Sequence, residues 1–263
     1  MPSTENKILN YRVIGNGHPV VFLHGFLESM SMWDYLKLTE SFQCIFVDLP
    51  GHGSSDDAAE DETMLSMAQQ VVRLISSLNI DKYDVIGHSM GGYVGLEMKN
   101  VDDRCEKLVL LNSNFWNDSP IKLEQRNRVA KVVQRNKSLF IYEAVPNLFF
   151  DPTLFDKEVK SLIKESKMMS PENIARVSLA MGKRLNRKNL IRSWADSVLI
   201  LQGKEDSTVK KDQMDQELKG VDLNYVVLKD VGHMAHIEDP ERTSEEIVNF
   251  IQKKRKLISF RYR

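Results

Sequence analysis

The most constraining feature of the sequence is the segment from Val85 to Gly92, in which Ser89 stands between two glycines in the pattern Gly-x-Ser-x-Gly. An apolar, strand-like run precedes it and a helix-like pattern follows it. A strand that turns sharply into a helix leaves little room beside the turning residue, so Gly87 and Gly91 let the backbone pass. The turn exposes Ser89 above a sheet edge, at a helix N-terminus whose amides favour negative charge. The pattern predicts a nucleophilic serine on a strand-turn-helix elbow.

Short apolar runs alternate with helical patterns, which predicts an α/β fold with a mainly parallel central sheet flanked by helices. The strand-like runs are Ile8 to Ile14, Val20 to Leu23, Cys44 to Val47, Tyr83 to Ile86, Leu108 to Leu111, Val198 to Leu201 and Tyr225 to Leu228. The turn Gly15-Asn16-Gly17 favours a hairpin, so we expect the first two runs to pair antiparallel. Helical spacing of apolar residues predicts helices from Leu65 to Leu78 and around Ile247 to Ile251.

The alternation stops between residues 115 and 194, where helical patterns with interspersed aromatic residues take over. We therefore predict a core of residues 1–114 and 195–263 with an inserted helical subdomain of residues 115–194. The inserted part holds 16 basic and 8 acidic residues, although the whole chain is balanced at 36 Lys plus Arg against 37 Asp plus Glu. Overall neutrality argues against a dedicated nucleic-acid-binding protein.

Several classes of protein are disfavoured by what the sequence lacks. Its two cysteines, Cys44 and Cys105, are too few for a disulfide framework, and neither has a second Cys at metal-ligand spacing. The N-terminal residues do not resemble a signal peptide, and no apolar stretch is long enough for a membrane span. The sequence predicts a soluble, cytoplasmic protein that needs no metal and no cofactor.

A serine nucleophile needs a base, and six histidines are available. His233 is our candidate, because it follows the last strand-like run in a loop that can reach the upper sheet edge. We expect His18 at the surface, His24 and His52 in turn-stabilising hydrogen bonds, and His88 directed away from the neighbouring serine.

The base in turn needs a carboxylate that orients it. Asp206 follows the strand-like run Val198 to Leu201, which gives the chain order Ser, Asp, His that this kind of site requires. Asp118, after the preceding strand, is the rival. Glu205 is another nearby carboxylate, for which a solvated loop position is the alternative.

Five motifs in order resemble the α/β-hydrolase superfamily over nearly the whole chain outside the insertion. They are His24-Gly25-Phe26, the turn Asp48 to Ser55, the Ser89 elbow, Gly203 to Asp206, and Gly232-His233 followed by Glu238 to Glu241. The resemblance implies a backbone oxyanion hole formed by the N–H groups of Phe26 and Met90. It also implies that residues 115–194 form a lid over Ser89.

Two departures narrow the position within that superfamily. Ser rather than Asp at the elbow argues against haloalkane dehalogenases and epoxide hydrolases, whose covalent intermediates form on a carboxylate. Met234 stands where many carbon-carbon bond hydrolases have Trp, which makes that branch less favoured without excluding it. His236 resembles a common companion of the His loop, and we expect a structural role for it rather than that of a second base.

Pocket candidates follow from position. His24 belongs to the first motif, and Asn112, Phe115 and Trp116 leave the sheet edge toward the predicted site. Aromatic residues of the insertion either line an acyl or alcohol pocket or pack the insertion's own small core.

The resemblance implies a serine hydrolase that uses water to cleave a small or medium carboxylic ester. Thioesterase, enol-lactonase, carbon-carbon bond hydrolase and acyltransferase remain open with the same triad, as does a ligand receptor with negligible turnover. The basic insertion suggests steering of anionic esters, with a solvated helical surface as the alternative. The basic residues from 253 to 263 are expected to end a solvated helix.

Overall fold

The computed structural model describes residues 8–253, which contain one seven-stranded sheet in the order β1-β3-β2-β4-β5-β6-β7. The strands are β1 (Tyr11–Ile14), β2 (Pro19–Leu23), β3 (Gln43–Val47), β4 (Tyr83–His88), β5 (Cys105–Leu111), β6 (Val198–Gly203) and β7 (Asn224–Leu228). Only the β1 edge is antiparallel, and every other pairing of this sheet is parallel. The predicted α/β architecture is confirmed.

The predicted hairpin between the first two strands is wrong. β1 pairs with β3, with Tyr11 opposite Val47 and Ile14 opposite Cys44, so that β3 separates β1 from β2. Burial explains the arrangement: Val20 to Leu23 of β2 are fully buried, as expected of a strand with parallel neighbours on both sides, whereas β1 is largely exposed. A half-exposed strand is suited to the edge of a sheet.

Successive side chains along each strand enter different cores on the two faces of the sheet. In β2, Val21 and Leu23 join one hydrophobic cluster, while Val20 and Phe22 join the other. The first cluster is covered by α1 (Met64–Ser77) and α2 (Met90–Val101), and the second by α9 (Pro240–Gln252). The helices predicted at α1 and α9 are therefore present. Ala68, Val71 and Ile75 of α1 are buried as expected, but Leu65 of the predicted face is exposed.

The stretch between β5 and β6 is helical. It contains α3 (Pro120–Ala144), α4 (Asp156–Ser166), α5 (Pro171–Gly182) and α6 (Lys188–Ser193). α3 is kinked at Asn136, whose backbone is non-helical. Residues of α3, α4 and α5 pack a third hydrophobic cluster together with Leu27 and Met234, whereas Ile191 of α6 packs into the first cluster. The division into a core and an inserted subdomain remains a prediction.

Two further helices follow β6 and β7 along the chain. α7 (Lys211–Glu217) lies between β6 and β7, and the short α8 (Ala235–Glu238) precedes α9. Within residues 8–253 no helix is both long and apolar enough to cross a bilayer.

Both cysteines are buried and unbridged, and burial raises the pKa of the Cys44 thiol to about 12. Of the basic segment predicted from 253 to 263, residues 254–263 lie outside the described residues.

Candidate active site

Ser89 occupies a tight turn between β4 and α2, as its sequence context predicts. Its backbone has φ 49° and ψ −112°, a region that residues other than glycine rarely adopt and that costs on the order of 1–3 kcal/mol. The flanking glycines are sterically required. A Cβ on Gly91 would lie 2.1 Å from the carbonyl oxygen of Leu23, and one on Gly87 would lie 2.4 Å from the carbonyl carbon of Gly91. The turn therefore holds the serine at the sheet edge under strain.

Ser89, His233 and Asp206 form one chain of hydrogen bonds. His233 Nε2 lies 2.9 Å from Ser89 Oγ, and His233 Nδ1 lies 2.8 Å from Asp206 Oδ2. Because an ionised carboxylate can only accept, Nδ1 carries the proton and Nε2 is left to accept from the serine hydroxyl. This is the geometry that activates a serine for nucleophilic attack.

Asp206 is held in place by several donors. The backbone N–H groups of Thr208 and Val209 donate to Oδ1 at 2.8 and 2.9 Å, and Asn112 Nδ2 donates to Oδ2 at 3.0 Å. Burial alone would raise the pKa of this carboxyl. The adjacent His233 and these hydrogen bonds outweigh burial and lower the pKa, so Asp206 is ionised at neutral pH.

The rival acid Asp118 lies in a different environment. Its two oxygens bind Arg184 Nη2 at 2.7 Å and Arg126 Nε at 3.0 Å. Burial opposes its ionisation, but the two guanidinium groups lower its pKa. Glu205 is partly exposed beside Lys204. The structure brings Asp206, and neither alternative, to His233.

The loop of His233 is fixed by main-chain contacts that the sequence did not reveal. Its N–H donates to the Leu148 carbonyl at 2.8 Å, and its own carbonyl accepts from His88 Nε2 at 2.8 Å. His88 Nδ1 lies 2.9 Å from Glu28 Oε2. Both ring nitrogens of His88 therefore face acceptors, which requires the doubly protonated imidazolium. The buried ion pair with Glu28 overcomes the effect of burial and raises the pKa of His88.

Met90 and Phe26 are the residues whose amides are expected to form the oxyanion hole. Met90 begins α2, where the first N–H groups of a helix lack intrahelical acceptors, and Phe26 lines the same cavity as Ser89. Within residues 8–253 neither amide donates a hydrogen bond. Their role stays a prediction.

The cavity above Ser89 has a volume of about 110 Å³. Its wall is lined by Phe26, Leu27, Glu28, His88, Tyr93, Lys122, Arg126, Phe140, Ala144, Leu148, Met181, Thr208 and His233. Six of these residues come from the helices between β5 and β6 and carry no motif: Lys122, Arg126, Phe140, Ala144, Leu148 and Met181. Only the three-dimensional arrangement identifies them as cavity residues, so they could not be predicted from the sequence.

None of the four residues that the sequence suggested for the substrate pocket lines this cavity. His24 is buried and stabilises its turn, with Nδ1 bonded to the Gly25 carbonyl at 2.8 Å and Nε2 accepting from Leu49 N–H at 2.9 Å. Asn112 supports Asp206, Phe115 packs in the first core cluster, and Trp116 lines a neighbouring outer cavity. The side chains of His24, Asn112 and Phe115 are thus used for packing and loop support, whereas Trp116 borders a second cavity.

The remaining histidines are structural or peripheral. His52 donates from Nδ1 to the Pro50 carbonyl at 3.1 Å, in the turn role predicted for it, and burial lowers its pKa to about 3. His236 is fully buried against the His88 and Trp33 rings, and burial lowers its pKa to about 3 as well. His18 is partly exposed and binds Asp84 at 2.9 Å.

Comparisons with known proteins agree with this architecture. The solved structure of a thermophilic esterase from Thermogutta terrifontis, described as malate bound, has a TM-score of 0.88 and 29% sequence identity, with 95% of each chain covered. The enol-lactonase from Burkholderia xenovorans LB400 has a TM-score of 0.83, covers 95% of this chain and 98% of its own, and at 22% identity shows the fold alone.

The sequence relatives are longer than the segment that matches this chain. The dihydrolipoyllysine-residue acetyltransferase component of the acetoin cleaving system of Pseudomonas putida is 25% identical over 256 residues, which are 94% of this chain and 67% of that protein. For other relatives the match covers as little as 31% of their length. A family model described as alpha/beta hydrolase fold matches residues 18–240. The chain therefore belongs to the alpha/beta hydrolase fold family.

Proposed function

We propose that this protein is a serine hydrolase that cleaves a small carboxylic ester through Ser89, His233 and Asp206. The observation that carries the proposal is the continuous chain of hydrogen bonds from Ser89 Oγ through His233 to Asp206, which opens into a cavity of about 110 Å³. The similarity to a thermophilic esterase supports an ester as the scissile group.

The geometry implies a two-step acyl transfer. His233 Nε2 takes the hydroxyl proton as Ser89 Oγ attacks the carbonyl carbon, and the amides of Phe26 and Met90 stabilise the resulting oxyanion. His233 returns the proton to the departing alcohol, which leaves an ester on Ser89. Water, deprotonated by His233, then attacks that ester and releases the acid. Asp206 stabilises the imidazolium in both steps.

The helices between β5 and β6 form the lid in this proposal. Phe140, Ala144 and Leu148 cover the cavity from that side, and Phe149 and Phe155 instead pack in the helices' own hydrophobic cluster. In this proposal the insertion has both of the roles considered from the sequence: part of it shapes the pocket and part of it makes its own core.

The decisive experiment combines labelling and mutation. A fluorophosphonate probe should label Ser89 stoichiometrically, and Ser89→Ala should lose labelling and lower kcat by at least about 10⁴-fold while the thermal unfolding profile is retained. Unchanged turnover in the purified variant would contradict the assignment of the nucleophile.

Product analysis separates the alternatives with the same triad. Esters, thioesters, enol lactones and carbon-carbon substrates would be offered with water alone or with an acyl acceptor. The assay with an added acyl acceptor is included because the Pseudomonas putida relative is named as an acetyltransferase component. Labelling of Ser89 without turnover of any substrate would favour a ligand receptor.

A further inference from the structure

Two cavities meet beside Ser89. The inner one contains the serine, and an outer one of about 370 Å³ lies next to it. Both are lined by Tyr93, Lys122, Arg126 and Thr208, so these four side chains form the boundary between them. Any group that extends from the scissile bond toward the outer cavity passes this boundary.

The boundary carries more positive than negative charge. Lys122, Arg126 and Arg184 surround a single carboxylate, Asp118, whose two oxygens are already bound by the two arginines. The other acid of the outer cavity, Glu217, is paired with Lys188 at 2.7 Å. In the inner cavity, Glu28 is paired with His88 at 2.9 Å.

Lys122 is the cation of this boundary that these pairs leave without a direct partner. Within residues 8–253 its Nζ forms no ion pair and no hydrogen bond, although the residue is half-buried on α3. Burial, followed by the nearby Arg126, lowers its pKa, and the nearby Asp118 only partly opposes this shift. A desolvated ammonium without a partner is unfavourable, and a carboxylate at this point would supply a charge-assisted hydrogen bond.

The inner cavity also restricts which substrates reach this cation. Phe26, Leu27, Phe140, Leu148 and Met181 make much of its wall apolar, while Lys122 and Arg126 stand on the side toward the outer cavity. An apolar pocket with a few convergent polar groups fixes the orientation of a ligand. A short ester with one charged end matches this division.

We propose that Lys122, with Arg126 beside it, binds a carboxylate of the substrate, so that the preferred esters carry a second, anionic group a few atoms from the scissile carbonyl. This inference rests on the proposed ester hydrolysis and names its substrate class. Asp118 positions Arg126 in this site, and Arg184 is held by Asp118 and by the carbonyls of Trp116 and Met181.

Matched substrates test the proposal and locate the charge. Monoethyl glutarate carries a carboxylate on its acyl side, and ethyl glutaramate replaces that carboxylate by a neutral amide of the same size. Butanoyloxyacetate and butanoyloxyacetamide form the corresponding pair with the charge on the alcohol side. For each pair, the ratio of kcat/KM for the anionic to the neutral ester is measured.

We expect Lys122→Gln to lower this ratio at least tenfold in one pair, and Lys122→Arg to retain most of it. Lys131→Gln is the matched control, because Lys131 is an exposed lysine of the same helix that lines neither cavity. The ratio should also fall with rising ionic strength in the wild type. A ratio that Lys122→Gln leaves unchanged in both pairs would overturn the proposal.

A binding measurement separates this inference from the proposed function. In Ser89→Ala, monoethyl glutarate should raise the melting temperature more than the neutral ethyl glutaramate does, and the excess should disappear when Lys122→Gln is added. If that excess is found but no ester is hydrolysed, the anion site stands and ester hydrolysis is wrong. If esters are hydrolysed but the excess is absent, the anion site is wrong and the proposed function stands.

Discussion

His88 donates a 2.8 Å hydrogen bond from Nε2 to the main-chain carbonyl of His233, the residue that faces Ser89. The same imidazole is anchored on its other side by Glu28, whose Oε2 also accepts from the Gly25 N–H at 2.5 Å. The loop of the proposed base is thus tied, through one buried ion pair, to the loop that contains Phe26. One loop precedes Ser89 in the sequence and the other follows it, and the ion pair holds the two loops at a fixed distance from each other.

Glu28→Gln tests this connection. It removes the negative partner of a buried imidazolium, and breaking a buried pair by removing one partner costs about 3–5 kcal/mol. We expect a loss of that size in the free energy of unfolding, measured by urea denaturation. We also expect a fall in kcat at a temperature where the variant is still folded, because His233 and Phe26 lose their common support.

Glu40→Gln is the control for this variant, since Glu40 is an exposed loop carboxylate. Its stability should stay within about 0.5 kcal/mol of the wild type. If Glu28→Gln matched that control in both stability and kcat, the ion pair would have no part in supporting the site.

The fold class, and the meeting of Ser89, His233 and Asp206, could be predicted from the sequence because each depends on local order along the chain. Gly-x-Ser-x-Gly specifies a turn, and Asp206 and His233 each follow a strand of a parallel sheet, whose carboxyl ends meet at one edge. The local sequence gave a wrong prediction where the pairing of strands that are distant in sequence determines the structure. Gly15-Asn16-Gly17 is a valid hairpin signal, yet β2 is so apolar on both faces that it takes two parallel neighbours instead.

The cavity wall was beyond the reach of the sequence for the same reason. Lys122 and Phe140 belong to one long helix in which nothing distinguishes them from their neighbours, and the kink at Asn136 changes the direction of that helix between them. Glu28 and His88 are 60 positions apart and meet only in the fold. Residues of this kind can be identified only from their contacts in the folded protein, because helical spacing does not reveal those contacts.

Asp206→Asn should keep the fold and lower activity sharply. The amide can donate to His233 Nδ1, which would favour the tautomer with its proton on Nε2 and leave no acceptor for the serine hydroxyl. We expect kcat to fall by about 10⁴-fold, as for this change in other serine triads. The measurement is steady-state hydrolysis of a reactive ester, with circular dichroism to confirm folding.

Glu205→Gln is the matched control for that variant, because it alters the adjacent, partly exposed carboxylate. It should retain activity within a factor of about two to three, which corresponds to less than about 1 kcal/mol. Equal losses in the two variants would assign the effect to the loop and not to the acid.

The His18–Asp84 pair should make stability depend on pH. The hydrogen bond to Asp84 raises the pKa of His18 above its usual 6.5 against the opposing effect of burial. A raised pKa in the folded state stabilises the protein below pH 6.5, and this stabilisation is lost as the pH rises through the folded pKa. The wild type should therefore exceed His18→Gln in melting temperature at pH 5.5 by more than at pH 9. A difference that is constant or grows with pH would contradict the pairing.

Gly91→Ala tests whether the elbow is sterically closed. An added Cβ would lie 2.1 Å from the Leu23 carbonyl oxygen and 2.7 Å from that of His24, and both are main-chain atoms that cannot move without shifting β2 or the loop after it. Overpacking of this kind costs about 1–3 kcal/mol, and the shift would also displace the neighbouring Met90 amide. We expect lower stability together with lower kcat. Gly182→Ala, at the end of α5, is the control, because its Cβ would meet side chains alone: the flexible end of Leu123 at 3.2 Å and Arg126 at an ordinary contact distance of 3.8 Å. Its stability should lie within about 0.5–1 kcal/mol of the wild type. A tolerated Gly91→Ala with full activity would show that the turn has room to spare.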